Sequence, residues 1–264
     1  MNFDINNFVI DKVIRGVMTS TDDGSYLWSV NQISDPVINC TTESKEAVDA
    51  IGSTIMQFDQ AKKAEFSASN SLFDLGMLAA QLGTSKKVAS TTNKVVVPKF
   101  ETVDVTAATT VVLSQKPTKN VDAIYELKGD STLGTKYTAG TAANTTRFVY
   151  NSSTKTITLP TGLTTGSQLL IMYEYESDAA VEVSNSATQF PSAGKFVMEV
   201  LGADVCNPSV LYHAFVIFPA AKLDGNVDVG LATDSKFGFK ITCMQEYCDK
   251  EKRLFRIVVP EADA

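Results

Sequence analysis

The chain has 264 residues, and 30 Asp and Glu against 23 Lys and Arg give it a net charge of −7. That balance excludes a surface that grips duplex nucleic acid, because neutralising phosphates takes clustered cations. Apolar residues make up 44% of the chain, enough for a sizeable core, but no apolar run nears the roughly 20 residues of a membrane helix. No membrane insertion is expected.

Residues 1–8 set Phe3, Ile5 and Phe8 among Asn and Asp, the pattern of an arm that docks on another surface. The start has neither the basic residues nor the apolar block of a signal peptide, so synthesis and retention inside a cell are expected. Strands are predicted over 9–18 and 25–33, joined through Thr21-Asp22-Asp23-Gly24, with Tyr26, Trp28 and Val30 on one face. Pro36 opens a third strand. The polar stretch from Glu43 to Asp49 then reads as a long connection, of the kind that is functional or mobile.

From Ile51 the pattern is strand, charged turn, strand and helix. Ala64, Phe66 and Ala68 alternate with Glu65, Ser67 and Ser69, the period of a half-buried strand. Ser71-Leu72-Phe73-Asp74 has capping-box spacing, and Leu72, Leu75, Leu78, Ala79 and Leu82 form one apolar stripe. Gly83 stands where a helix commonly ends in a left-handed residue. A lone amphipathic helix among strands must bury its stripe on a β-sandwich or barrel.

Between about Val95 and Asn185 the composition shifts to Thr, Ser, Ala and Gly. The runs VTAATTVVL, AIYELKG, KYTAG, RFVYN, TITLP and QLLIMYEYES are separated by turn clusters. Six or seven short strands in about 90 residues have the rhythm of an immunoglobulin-like sandwich, inserted in a host domain. The expected division is a discontinuous host over 1–94 and 186–264, with the insertion over 95–185. The last third is read as five strands: FVMEVLG, VLYHAFVIFP, NVDVGLATD, KFGFKITCM and RLFRIVVP. The second of these is taken as buried on both faces, with His213 in the core, and Phe237, Phe239 and Ile241 as the core face of the fourth.

Chemistry is sparse. Cys40, Cys206, Cys243 and Cys248 lack metal-knuckle spacing and read as reduced, buried thiols. Phosphate-loop, nucleophile-elbow and zinc-helix motifs are absent, and one histidine limits any nucleophilic relay to His213. Carboxylate pairs such as Glu174 with Glu176, or Asp224 with Asp228, suit solvated strand faces better than acid–base work. The chain is read as a non-enzyme with no cofactor and no metal.

Asp49 to Thr84, with its helix ending Met77-Leu78-Ala79-Ala80-Gln81-Leu82-Gly83, resembles the tail tube proteins of tailed bacteriophages. Phe218-Pro219-Ala220-Ala221-Lys222-Leu223, the following NVDVGLATDS and the closing LFRIVVPE are similar to the end of the same family. The resemblance covers residues 1 to about 94 and 186 to 262, and the middle segment resembles the immunoglobulin-like decorations of phage structural proteins.

This resemblance implies a virion protein made in the host bacterial cytoplasm. Hexameric rings would stack into a hollow tube and meet other phage tail proteins, with DNA only as transported cargo. Subunit contacts are expected from Phe3, Ile5, Phe8, Ile51 and Ile55. The insertion carries seven Lys or Arg and nine Asp or Glu, net −2, so −5 of the −7 lies in the host. An acidic wall would let DNA slide, and Asp224, Asp228 and Asp234 are its candidates. Two other readings stand beside this one. One is a head decoration protein or other virion component. The other is a carbohydrate-binding module with Tyr137, Phe148, Tyr150, Tyr173 and Tyr175 as an aromatic platform for host glycans.

Overall fold

A computed structural model of the chain describes residues 5–233, 235–246 and 250–261. The elements run β1 (Phe8–Ser20), β2 (Tyr26–Val30), β3 (Ile33–Val48), β4 (Thr54–Asn70), α1 (Leu75–Gln81), β5 (Lys87–Val88), β6 (Val95–Asp104), β7 (Thr110–Val112) and β8 (Ala123–Leu127). They continue β9 (Leu133–Ala139), β10 (Arg147–Asn151), β11 (Thr156–Thr158), β12 (Gln168–Ser177), β13 (Val181–Glu182), β14 (Ala193–Asp204), β15 (Asn207–Leu223), β16 (Phe237–Cys243) and β17 (Arg256–Val258). The fold is all-β with one flanking helix, as the periodicities require. Two compact units divide the chain: one takes the residues up to Lys86 and from Val183 onward, the other Lys87–Glu182.

The first unit is one eight-stranded sheet in the order β2-β1-β14-β15-β16-β4-β3, with β17 also paired to β15. Its curvature follows from its core. Phe66 on β4 and Phe196 on β14 bring their ring centroids within 5.8 Å although two strands separate theirs. Trp28, on the edge strand β2, stacks on Phe196 at 5.3 Å and meets Phe239 of β16 edge-on at 6.1 Å. A flat sheet would hold these rings some 10 Å or more apart, given about 4.8 Å between strands. Bulges in β1 between Ile10 and Lys12 and between Val13 and Arg15 supply part of the bend.

Helix α1 starts later than the capping-box spacing suggests. Asp74, not Ser71, is the N-cap: its Oδ1 accepts from the amides of Gly76 at 2.7 Å and Met77 at 3.1 Å. Leu72 therefore drops out of the buried stripe and stands exposed, while Met77, Leu78 and Ala79 are buried. Gly83 does end the helix in the left-handed region, at φ +71°, and the Phe190 backbone lies where a Cβ would stand.

Three further expectations are corrected. In the stretch expected as a connection, Glu43 to Val48 is strand and only Asp49 lies in the turn, and β4 runs through the expected charged turn without interruption. The described residues from Gly225 to Lys236 form no strand, so the expected strand NVDVGLATD is not formed over 226–233. On β15, Ala214, Val216 and Phe218 face the core, but His213 lies on the opposite, more open face with a half-exposed side chain. A strand beside one core alternates and cannot bury both faces.

The second unit is a seven-stranded sheet in the order β6-β12-β8-β9-β10-β11-β7, with β9 and β10 parallel. Its ends approach each other, because Glu101 of edge strand β6 accepts from the amide and hydroxyl of Ser114, just past edge strand β7. Ile124, Phe148, Ile157, Leu169, Ile171 and Tyr173 fill its core. Strands β5 and β13 pair as Lys87 with Glu182 and Val88 with Val181, so the chain enters and leaves the unit side by side.

Candidate assembly surface

The most exposed feature of the first unit is the hairpin of β3 and β4. Strand β4 pairs with β16 only over Ala64–Asn70, and β3 is the last strand of the sheet. Beyond Ala64 the ribbon has two unpaired outer edges, and every residue of Thr41–Val48 and Thr54–Lys63 is exposed. At about 3.3 Å per residue its tip extends about 30 Å past the sheet body. An isolated two-stranded ribbon is marginal in water.

Local chemistry holds the tip closed. Asp49 Oδ1 accepts from the amides of Ile51 at 3.0 Å and Ser53 at 2.8 Å, and Gly52 takes φ +88°. Glu46 accepts from Thr54 Oγ1 at 2.8 Å, Gln57 bonds Ser44, and Lys63 pairs with Glu43. Nothing among the described residues covers the apolar side chains these contacts display: Val48 is 55% exposed, Ile51 87%, Ile55 68%, Met56 54% and Phe58 53%. Opposed Ala47–Met56 puts Met56 and Phe58 on one face, and opposed Glu46–Gln57 puts Gln57, Glu46 and Asp59 on the other, while Ile55 is the extra residue of a bulge.

The expected contact residues fall unevenly. Ile51 sits in the tip turn and Ile55 is the second residue of β4, so both belong to this surface. Phe8 begins β1, pairs with Asp204 and lays its ring over Gly202, within its own subunit's core. Ile5 is half-buried outside any strand, and Phe3 lies outside the described residues. Met56, Phe58 and the stretch Asp59–Lys63 were not singled out from the sequence, although the absence of any Gly, Pro or Asn from Thr54 to Ser69 is their signal.

Of the acidic candidates, Asp224 closes a turn, accepting from the amide of Asn226 at 3.0 Å and its side chain at 2.9 Å. Asp228 is exposed and not on a strand, and Asp234 lies outside the described residues. No cluster of His, Cys, Asp and Glu among the described residues forms a metal site. The proposed aromatic platform is packed inside: Tyr137, Phe148 and Tyr173 are buried, and Tyr150 and Tyr175 pack against the same core. Strand aromatics here serve packing.

On the open face of the sheet, Glu199 accepts from Arg15 Nε at 2.5 Å and contacts His213 Nδ1 at 2.8 Å, tying β1, β14 and β15 together. The Arg15 hydrogen bond, opposed by burial and aided by His213, holds the Glu199 carboxyl below the usual carboxylate value. Glu199 is thus a structural tie.

A long ribbon with two open edges and exposed apolar side chains at its tip is the kind of surface that pairs with another chain. The chain belongs to the YomU/Tube protein family, whose profile matches residues 9–257, and is a phage-associated structural tube protein. No curated protein matches it.

Proposed function

We propose that this protein polymerises as stacked hexameric rings into a phage tail tube, the conduit for genome delivery, in contact with other tail proteins. The β3–β4 hairpin carries the reading. Its tip displays Val48, Ile51, Ile55, Met56 and Phe58 to solvent on a ribbon with two open edges, a surface that only another chain would cover. The edges of β2 and β3 support lateral growth of the sheet around a ring. The lumen would be acidic, with Asp224, Asp228 and Asp234 as its candidates, so that DNA passes as cargo without being held.

The Lys87–Glu182 unit, with its own core and paired entry and exit strands, is read as an immunoglobulin-like insertion. Electron microscopy of the purified protein in negative stain tests the proposal. Tubes with a regular axial repeat are expected, and discrete monomers at high concentration would overturn it.

A further inference from the structure

The open face of β14, β15 and β17 carries a concavity of about 280 Å³ that no feature of the fold uses. Lys195, Ile217, Pro219, Glu246, Arg253 and Arg256 line it. Ile217 and Arg256 oppose each other on β15 and β17, on the face turned away from Phe218 and the core. Lys195 and Arg256 form no ion pair among the described residues, while Arg253 pairs with Glu251. In a chain of net charge −7, this concavity is lined by three cations, one carboxylate and an isoleucine, so its local balance is positive.

The hairpin tip has the opposite character. From Glu46 to Gln60 there are three carboxylates and no Lys or Arg. One face of the tip carries Glu46 and Asp59 in one row, with Ser44 and Gln57 between them. The concavity sets Ile217 beside Lys195 and Arg256, an apolar centre between two cations. Two surfaces of opposite charge attract at a distance and pair on contact.

We propose that the Glu46–Gln60 tip of one copy docks in the Lys195–Arg256 concavity of a second copy, with Glu46 and Asp59 facing Lys195 and Arg256. This rests on the tube reading and names the receiving site that the hairpin uses. Reciprocal charge reversal tests it. E46K/D59K in the tip, or K195E/R256E in the concavity, should each raise the concentration needed for tube formation by about tenfold or more. Both substitution sets in one chain should bring it back toward wild type.

All the altered side chains are exposed, and thermal melting of each variant before assembly shows that the subunit is folded. Unchanged assembly of K195E/R256E, or loss in both sets without rescue in the combination, overturns the docking while leaving the tube reading intact. Failure of the unaltered protein to polymerise overturns both.

Discussion

Phe66 and Phe196 stand 5.8 Å apart between centroids although β16 and β15 lie between their strands, so this pair records how strongly the eight-stranded sheet curls. Both rings are fully buried, and Phe218 and Trp28 complete the cluster. Phe66→Ala or Phe196→Ala is expected to destabilise the first unit by about 3–5 kcal/mol, from lost burial plus the cavity left behind. Urea unfolding followed by Trp28 fluorescence measures it, since Trp28 is the only tryptophan in the chain.

Glu199 gives the first unit an acid-sensitive tie. Its carboxyl is held below the ordinary value of 4.5, chiefly by the Arg15 hydrogen bond, so the unfolded chain takes up the proton first. The stabilisation is therefore present above 4.5 and is lost as pH falls below it. E199Q should cost about 1 kcal/mol at neutral pH, because Arg15 is largely solvated, and should flatten the acid limb of the stability curve. Denaturant midpoints between pH 3 and pH 7, taken as about the carboxylate range, report both effects.

Cysteine chemistry separates core from surface. Burial pushes the Cys243 thiol up to about 12, with smaller contributions from Cys40 and Glu65, whereas Cys40 and Cys206 are exposed. The thiolate is the reactive form. Alkylation of the native protein near neutral pH, read by peptide mapping, should label Cys40 and Cys206 and spare Cys243 until the chain unfolds.

The paired strands β5 and β13 make the second unit excisable. Opposed residues in an antiparallel pair are about 5 Å apart, so joining Lys86 to Val183 through a short linker spans little distance. The shortened chain and the isolated Lys87–Glu182 segment should each melt cooperatively by calorimetry. A shortened chain without a melting transition would show that the first unit needs the second.

Local periodicity made much of this fold legible. Phe66, Phe239 and Ile241 declared their face by strict alternation, Gly24 marked its turn, and Gly83 its helix end. The hairpin escaped because polarity resembles a loop when the ribbon has no core to face. Glu43, Lys45, Lys62 and Lys63 are as hydrophilic as a linker, yet they pair across two strands. His213 was misplaced for the converse reason: its apolar neighbours Leu211, Phe215 and Ile217 share its open face, where a monomer leaves them only partly covered. The concavity of Lys195 and Arg256 joins residues far apart in the chain, and no single segment announces it.

Shortening the hairpin tests the assembly account most directly. In the variant, residues 44–59 are replaced by an Asn-Gly turn, and sedimentation and electron microscopy compare it with the full chain at equal concentration. The full chain should form long tubes; the shortened chain should keep its melting temperature and sediment as single rings or smaller species. Tubes of normal length from the shortened chain would contradict the account.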